Sequence, residues 1–151
     1  MPGIRLYPGY HGYTLAGDPF RQLLAAATER RLLVQIALQM QDERTQHPLV
    51  RTAPASIAGF PEVPGARVQF LNAARATALA AKPRHTDFAM VEGVHGLRDL
   101  ARDGGTARIV FGSYYPCFYF ESAVLKLKES GLDAHAVGAE NARRLFQGDA
   151  A

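Results

Sequence analysis

Five short apolar runs, each followed by a stretch with helical spacing, constrain this chain more than any other feature of its sequence. The runs are Ile4 to Tyr7, Leu32 to Leu38, Arg67 to Leu71, Phe88 to Val91 and Ile109 to Phe111. They recur about every 30 residues, the length of one strand-plus-helix unit. Only Gln35 interrupts the second run. A half-exposed strand alternates polar and apolar residues, whereas a strand covered on both faces reads as near-continuous apolar sequence. The pattern therefore predicts an α/β fold of parallel (β/α) units with about five strands.

The intervening stretches carry helix signals. Asp18-Pro19 is a start, with Asp at the N-cap and Pro at the first helical position. Phe20, Leu23, Leu24 and Ala27 follow at the spacing of one apolar stripe. Pro48 to Ala58 reads as a short helix and Ala73 to Ala81 as an alanine-rich one. Val94, Leu97, Leu100 and Ala101 mark a helix that stops at Gly104-Gly105. Phe120 to Glu129 is amphipathic, with Phe120, Val124 and Leu127 on one face, and a last helix runs from Asp133 to Phe146. No linker divides the chain. One domain over 1–147 with a disordered tail at 148–151 is expected.

Two architectures share this periodicity, a small doubly wound sheet and part of a (β/α) barrel. A dinucleotide-binding sheet requires a G-x-G-x-x-G turn after its first strand. Pro8-Gly9-Tyr10-His11-Gly12 lacks that spacing. A whole barrel needs eight units and typically about 250 residues, so 151 residues are too few for one.

Composition excludes several classes. Hydrophobic residues make up 48% and charged residues 21%, too apolar for a disordered chain. The net charge of +3 is spread along the chain, which argues against nucleic acid as a partner. No apolar run approaches the roughly 20 residues of a membrane span. The N-terminus lacks the pattern of a signal peptide. Cys117 is the sole cysteine, so no internal disulfide forms, and a cytoplasmic setting is expected.

The tail carries a resemblance. Arg108-Ile-Val-Phe-Gly-Ser-Tyr-Tyr-Pro116, an amphipathic helix, and Gly138-Ala-Glu-Asn-Ala-Arg-Arg-Leu-Phe146 together resemble the end of the amidohydrolase superfamily. More narrowly they are similar to the branch of aminocarboxymuconate-semialdehyde decarboxylase and related TIM-barrel hydrolases. There the last strand reads roughly "vlfGSDyP" and a final helix "NarrLf". Gly3-Ile-Arg-Leu-Tyr-Pro8 resembles a mid-barrel strand of that branch. The resemblance implies strands 4–8 of a metal-dependent hydrolase barrel, with a small carboxylate or amide substrate and a divalent metal such as zinc. It also implies ligands that this sequence does not supply. Tyr114 stands where the last-strand Asp belongs, Asn72 where a His closes the sixth strand, and Gln35 or Ala37 where a fifth-strand His is expected. No His-x-His pair is present.

Parallel barrels place their chemistry at the C-terminal strand ends. The candidates there are Tyr10 and His11 after the first strand, and Asp42, Glu43, Arg44 and His47 after the second. Asn72 follows the third, Glu92 the fourth, and Ser113 and Tyr114 the fifth. His11 with Asp42 or Glu43 forms a candidate acid–base pair, because a carboxylate orients an imidazole and tunes its pKa. Tyr10, Arg44, Asn72, Glu92, Ser113 and Tyr114 are candidate substrate contacts. Asp42-Glu43-Arg44 also reads as a solvated loop with local ion pairs, and the aromatics from Tyr114 to Phe120 as packing for the last helix. Cys117 has no neighbouring His to activate it and reads as a buried small residue. His85 and His135 read as surface residues. The expectation is a hydrolase or non-oxidative decarboxylase acting on a small carboxylate or amide, as part of a longer barrel. The alternative is an inactive truncated barrel, or a subunit whose open sheet edges pair with another copy.

Overall fold

The computed structural model describes residues 3–41 and 53–148. Four strands form one parallel sheet: β1 (Gly3–Leu6), β2 (Leu33–Ala37), β3 (Arg67–Leu71) and β4 (His85–Thr86). Their spatial order is their chain order, with Ile4 beside Val34, Val34 beside Val68, and Phe70 beside Thr86. A doubly wound sheet reverses order at a switch point. Here each strand adds to the same edge, as in a barrel wall.

The first three strands lie within one residue of the sequence expectation. The fourth does not. Phe88 to Val91 is a turn in which Phe88, Ala89 and Val91 are buried, and the strand is the polar pair His85–Thr86 just before it. Burial of the run, rather than pairing, explains its composition. His85 correspondingly lies within the sheet, half-buried, and not on the surface. The fifth strand is reduced to a parallel bridge, Thr86 to Ile109, extended by Val110 N–H donating to Thr86 O at 2.9 Å.

The helices are α1 (Pro8–His11), α2 (Asp18–Glu29), α3 (Arg75–Ala80), α4 (Gly96–Gly104), α5 (Phe120–Ser130) and α6 (Asn141–Gln147), with a π turn at Ala136–Glu140 leading into α6. In α2, Phe20, Leu24 and Ala27 are buried while Leu23 stays partly exposed. In α4, Leu97, Leu100 and Ala101 turn inward, and Val94 lies outside the helix in solvent. In α5 the buried face is Ala123, Leu127 and Ser130, leaving Phe120 half-exposed. Among the described residues the β2–β3 connection contains no helix; Ala55, Ile57, Phe60 and Val63 pack on the core from coil.

Alternation along the strands separates two faces. Val34, Ile36, Val68, Phe70 and Thr86 face the helices, and α2, α3, α4 and α5 all pack on that side. The opposite face carries Arg5, Gln35 and Gln69 in one row, with Leu33 and Arg67 below. With α2 to α5 on one face, the other is the inside of a barrel wall, closed only at its lower end by α6. At the N-terminal end of that inner face, Leu145 and Ala142 of α6 pack on Leu33 and Val110. Asn141 fixes this floor: its Nδ2 donates to Thr106 O at 2.9 Å and Ile109 O at 2.7 Å. The Asn of the tail motif is thus a buried clamp between the last helix and the last strand segment.

Candidate active site

A cavity of about 590 Å³ lies on the inner face. Its wall is the row Arg5, Gln35 and Gln69; its floor includes Ala142 and Phe146; its upper rim is Tyr7, Asn72, Asp87 and the segment Gly112 to Cys117. The polar side chains are ordered by the sheet register. Arg5 Nε and Nη2 donate to Gln35 Oε1 at 3.0 and 2.7 Å, and Gln35 Nε2 donates to Gln69 Oε1 at 2.8 Å.

Asp87 is the group with the most altered chemistry. It follows β4 directly and is 4% exposed. Its Oδ1 accepts the Asn72 backbone N–H at 3.0 Å and the Ala89 N–H at 3.4 Å. Burial pushes its pKa up to about 6; those two amides and the nearby Lys126 and Arg5 charges pull the other way without cancelling it. Gly112 explains itself here. A Cβ at that position would sit 2.6 Å from Asp87 Cβ and 2.9 Å from Oδ2, so only glycine leaves room for the carboxyl. The Gly of the Gly-Ser-Tyr-Tyr motif is the space that Asp87 occupies.

Asn72 shapes the same corner. It is buried at φ 57°, in the left-handed region that Asn tolerates better than most residues. Its Nδ2 donates to Gln39 O at 2.9 Å, so its side chain braces the β2–β3 strand ends while its backbone holds Asp87. Tyr114, also at a positive φ of 56°, has its phenol pushed up to about 12 by burial, by Cys117 and by Tyr7. Its ring meets Phe118 edge-on at 5.5 Å. Cys117 is exposed at the rim rather than buried.

Asn72, Ser113 and Tyr114 thus share the cavity with Asp87. Tyr10 and His11 do not line it. His11 closes α1, exposed, among the rings of Tyr7, Tyr10 and Tyr13, one aromatic contact removed from the rim residue Tyr7. Glu92 is exposed and acts on Lys126 rather than on the cavity. Asp42, Glu43, Arg44 and His47 lie outside the described residues. The sequence expectation put Glu92 at the end of the fourth strand; with β4 at His85–Thr86, that place belongs to Asp87. A carboxylate abutting the apolar run Phe88 to Val91 was the available sign of a buried acid.

The implied metal can be tested against these donors. A zinc-type centre needs three or four nitrogen, oxygen or sulfur ligands aimed at one point. Among the described residues, no three His, Cys, Asp or Glu side chains come together. The described strand ends offer one carboxylate, Asp87, with hydroxyls from Tyr7, Ser113 and Tyr114 and an amide already bound to Gln39. This set does not fit such a centre.

No protein-family model matches the sequence, and no curated protein does. Solved structures do. A protein of Pseudomonas putida assigned as a 2-pyrone-4,6-dicarboxylic acid hydrolase superposes with a TM-score of 0.60 at 19% identity, over 100% of this chain and 65% of that one. The 2,6-dihydroxybenzoate decarboxylase of Rhizobium gives 0.61 at 13% identity, over 91% and 58%. The isoorotate decarboxylase of Metarhizium anisopliae gives 0.60 at 15%, over 98% and 57%. The fold is that of part of a (β/α) barrel, as in these structures. The chain spans less than two thirds of the length of these structures. In such a barrel the row Arg5, Gln35 and Gln69 faces inward, and Asp87 stands at the C-terminal strand ends where barrel chemistry is found. No helix of the described residues is long and apolar enough to cross a membrane.

Proposed function

We propose that the inner-face cavity is the active site of a hydrolase or non-oxidative decarboxylase for a small carboxylate. The observation that carries this reading is Asp87, a buried carboxyl titrating near neutrality in the same cavity as the Arg5 cation. Arg5 engages two N–H bonds with Gln35, and its remaining N–H groups suit a ligand carboxylate. A carboxyl with a pKa of about 6 can both give and take a proton near neutral pH. In hydrolysis, ionised Asp87 takes a proton from the water whose oxygen bonds to the carbonyl carbon, then returns it to the leaving oxygen. In decarboxylation, the bond to the carboxylate carbon breaks, carbon dioxide leaves, and the electron pair left on the ring carbon takes the proton of neutral Asp87. The structural neighbours named for hydrolysis and decarboxylation of carboxylates support this pair of reactions.

The test is release of carbon dioxide from 2,6-dihydroxybenzoate and ring opening of 2-pyrone-4,6-dicarboxylate, by the wild-type chain and by Asp87→Asn. Turnover lost in the variant supports the reading; a variant as active as wild type overturns it. A second reading is favoured by β1, whose far edge has no neighbouring strand among the described residues and whose Gly3 and Arg5 are exposed. Such an edge is a template for pairing. In that reading a second copy completes the wall, and the isolated chain is inactive. Sizing by light scattering tests it: an active monomer excludes it.

A further inference from the structure

Arg5, Gln35 and Gln69 occupy one register row across β1, β2 and β3. Their hydrogen bonds have a direction that chemistry imposes. A guanidinium only donates, so Gln35 must turn its oxygen toward Arg5, at 2.7 and 3.0 Å. Gln35 is then left with its amide nitrogen on the other side, where it donates to Gln69 Oε1 at 2.8 Å. That fixes Gln69 in turn. Its oxygen is committed to Gln35, and its NH2 is the end of the row, on a side chain that is 4% exposed and lines the cavity. His85, next in register, does not line the cavity. The order does not depend on how either amide is assigned in isolation, because Arg5 breaks the symmetry.

We propose that this relay makes Gln69 a specificity-determining residue, holding a donor toward the cavity so that the site selects a ligand group with two acceptor oxygens, a carboxylate, over a carboxamide, whose NH2 would face a donor. The inference rests on reading the cavity as a carboxylate site, and adds to it the residue and polarity that discriminate. Arg5 has a second role as the positioning residue that orients the row without needing to touch the ligand. A buried donor left without an acceptor costs more than a hydrogen bond gains, which is why such polarity discriminates strongly.

The relay can be reversed. Gln35→Glu presents only acceptors, to Arg5 on one side and to Gln69 on the other. Gln69 must then rotate its NH2 toward position 35 and turn its oxygen to the cavity. Calorimetric titration of the full chain with 2,6-dihydroxybenzoate and with its carboxamide reads the result. Wild type is expected to bind the carboxylate at least tenfold more tightly. Gln35→Glu is expected to lose carboxylate affinity and to gain affinity for the carboxamide. The added charge alone would weaken the carboxylate but would not improve the carboxamide, so that gain separates the relay from simple repulsion. Wild-type preference for the carboxylate with no carboxamide gain in the variant overturns the relay while leaving the carboxylate site standing. A wild-type chain that binds neither ligand overturns the carboxylate reading and the relay with it. Should the variant not fold, the Gln69 side-chain amide signal of 15N-labelled wild type decides: it shifts on adding 2,6-dihydroxybenzoate if the relay is right, and its staying in place refutes it.

Discussion

Replacing Asp87 by Asn should make the protein more stable at neutral pH and inactive at the same time. The carboxyl is raised from 3.8 to about 6, so the folded state holds its proton more tightly than the unfolded chain does. The stability this contributes is complete below pH 3.8 and is lost as pH rises through about 6. Above both values the ionised group penalises folding by about 3 kcal/mol, at about 1.4 kcal/mol per pH unit. Asn has the same shape, keeps an oxygen for the N–H groups of Asn72 and Ala89, and never ionises. Asp87→Asn should therefore gain up to about 3 kcal/mol at pH 8 and almost nothing at pH 3.5, provided the chain stays folded there. In urea unfolding this is a midpoint raised by about 1–2 M at pH 8. Wild-type stability should fall between pH 4 and pH 7 relative to the variant. Equal pH dependence of the two proteins, or a variant less stable at pH 8, would refute the assignment of a buried, neutral-leaning carboxyl.

Four further outcomes follow from the same geometry. The pH–rate profile of turnover should bend near 6, rising with pH if ionised Asp87 acts as base in hydrolysis and falling if its acid form protonates carbon in decarboxylation. Gly112→Ala drives a Cβ into Asp87 and should cost about 1–3 kcal/mol in chemical unfolding together with turnover. Asn141→Leu leaves the Thr106 and Ile109 carbonyls without their donor and should cost about 2–4 kcal/mol, lowering the thermal midpoint without changing the pH profile. Arg108→Met removes donors to Gly104, Arg84 and Ala78 in a buried setting and should cost at least about 3 kcal/mol by the same measurement.

The sequence made the architecture readable because its first three strands are apolar runs closed by Pro, Gly or polar residues, and its helices carry spaced stripes. The tail motif also proved physical: Gly112 is the room beside Asp87, and Asn141 is the clamp on the floor. The fourth strand was not readable. Phe88 to Val91 looks like a strand because it is buried, yet burial of a turn under helices selects the same residues as burial of a strand. The true strand, His85–Thr86, is too short and polar to register. That displacement of a few residues puts Asp87, rather than Glu92, at the end of the strand. The row Arg5, Gln35 and Gln69 was hidden for a different reason. Each polar residue interrupts its own strand, and only the register shows that the three interruptions are side by side. Solvent-side His11, a candidate by its place after the first strand, packs among the rings of Tyr7, Tyr10 and Tyr13.

Titration of the Asp87 side-chain carboxyl carbon by 13C NMR, on the full chain with Asp87→Asn to assign the signal, tests the central claim most directly. A midpoint near 6 is predicted, moving upward when 2,6-dihydroxybenzoate brings a second negative charge into the cavity. A midpoint near 4, unmoved by the ligand, would contradict the placement of a proton-transferring carboxyl in a carboxylate-binding site.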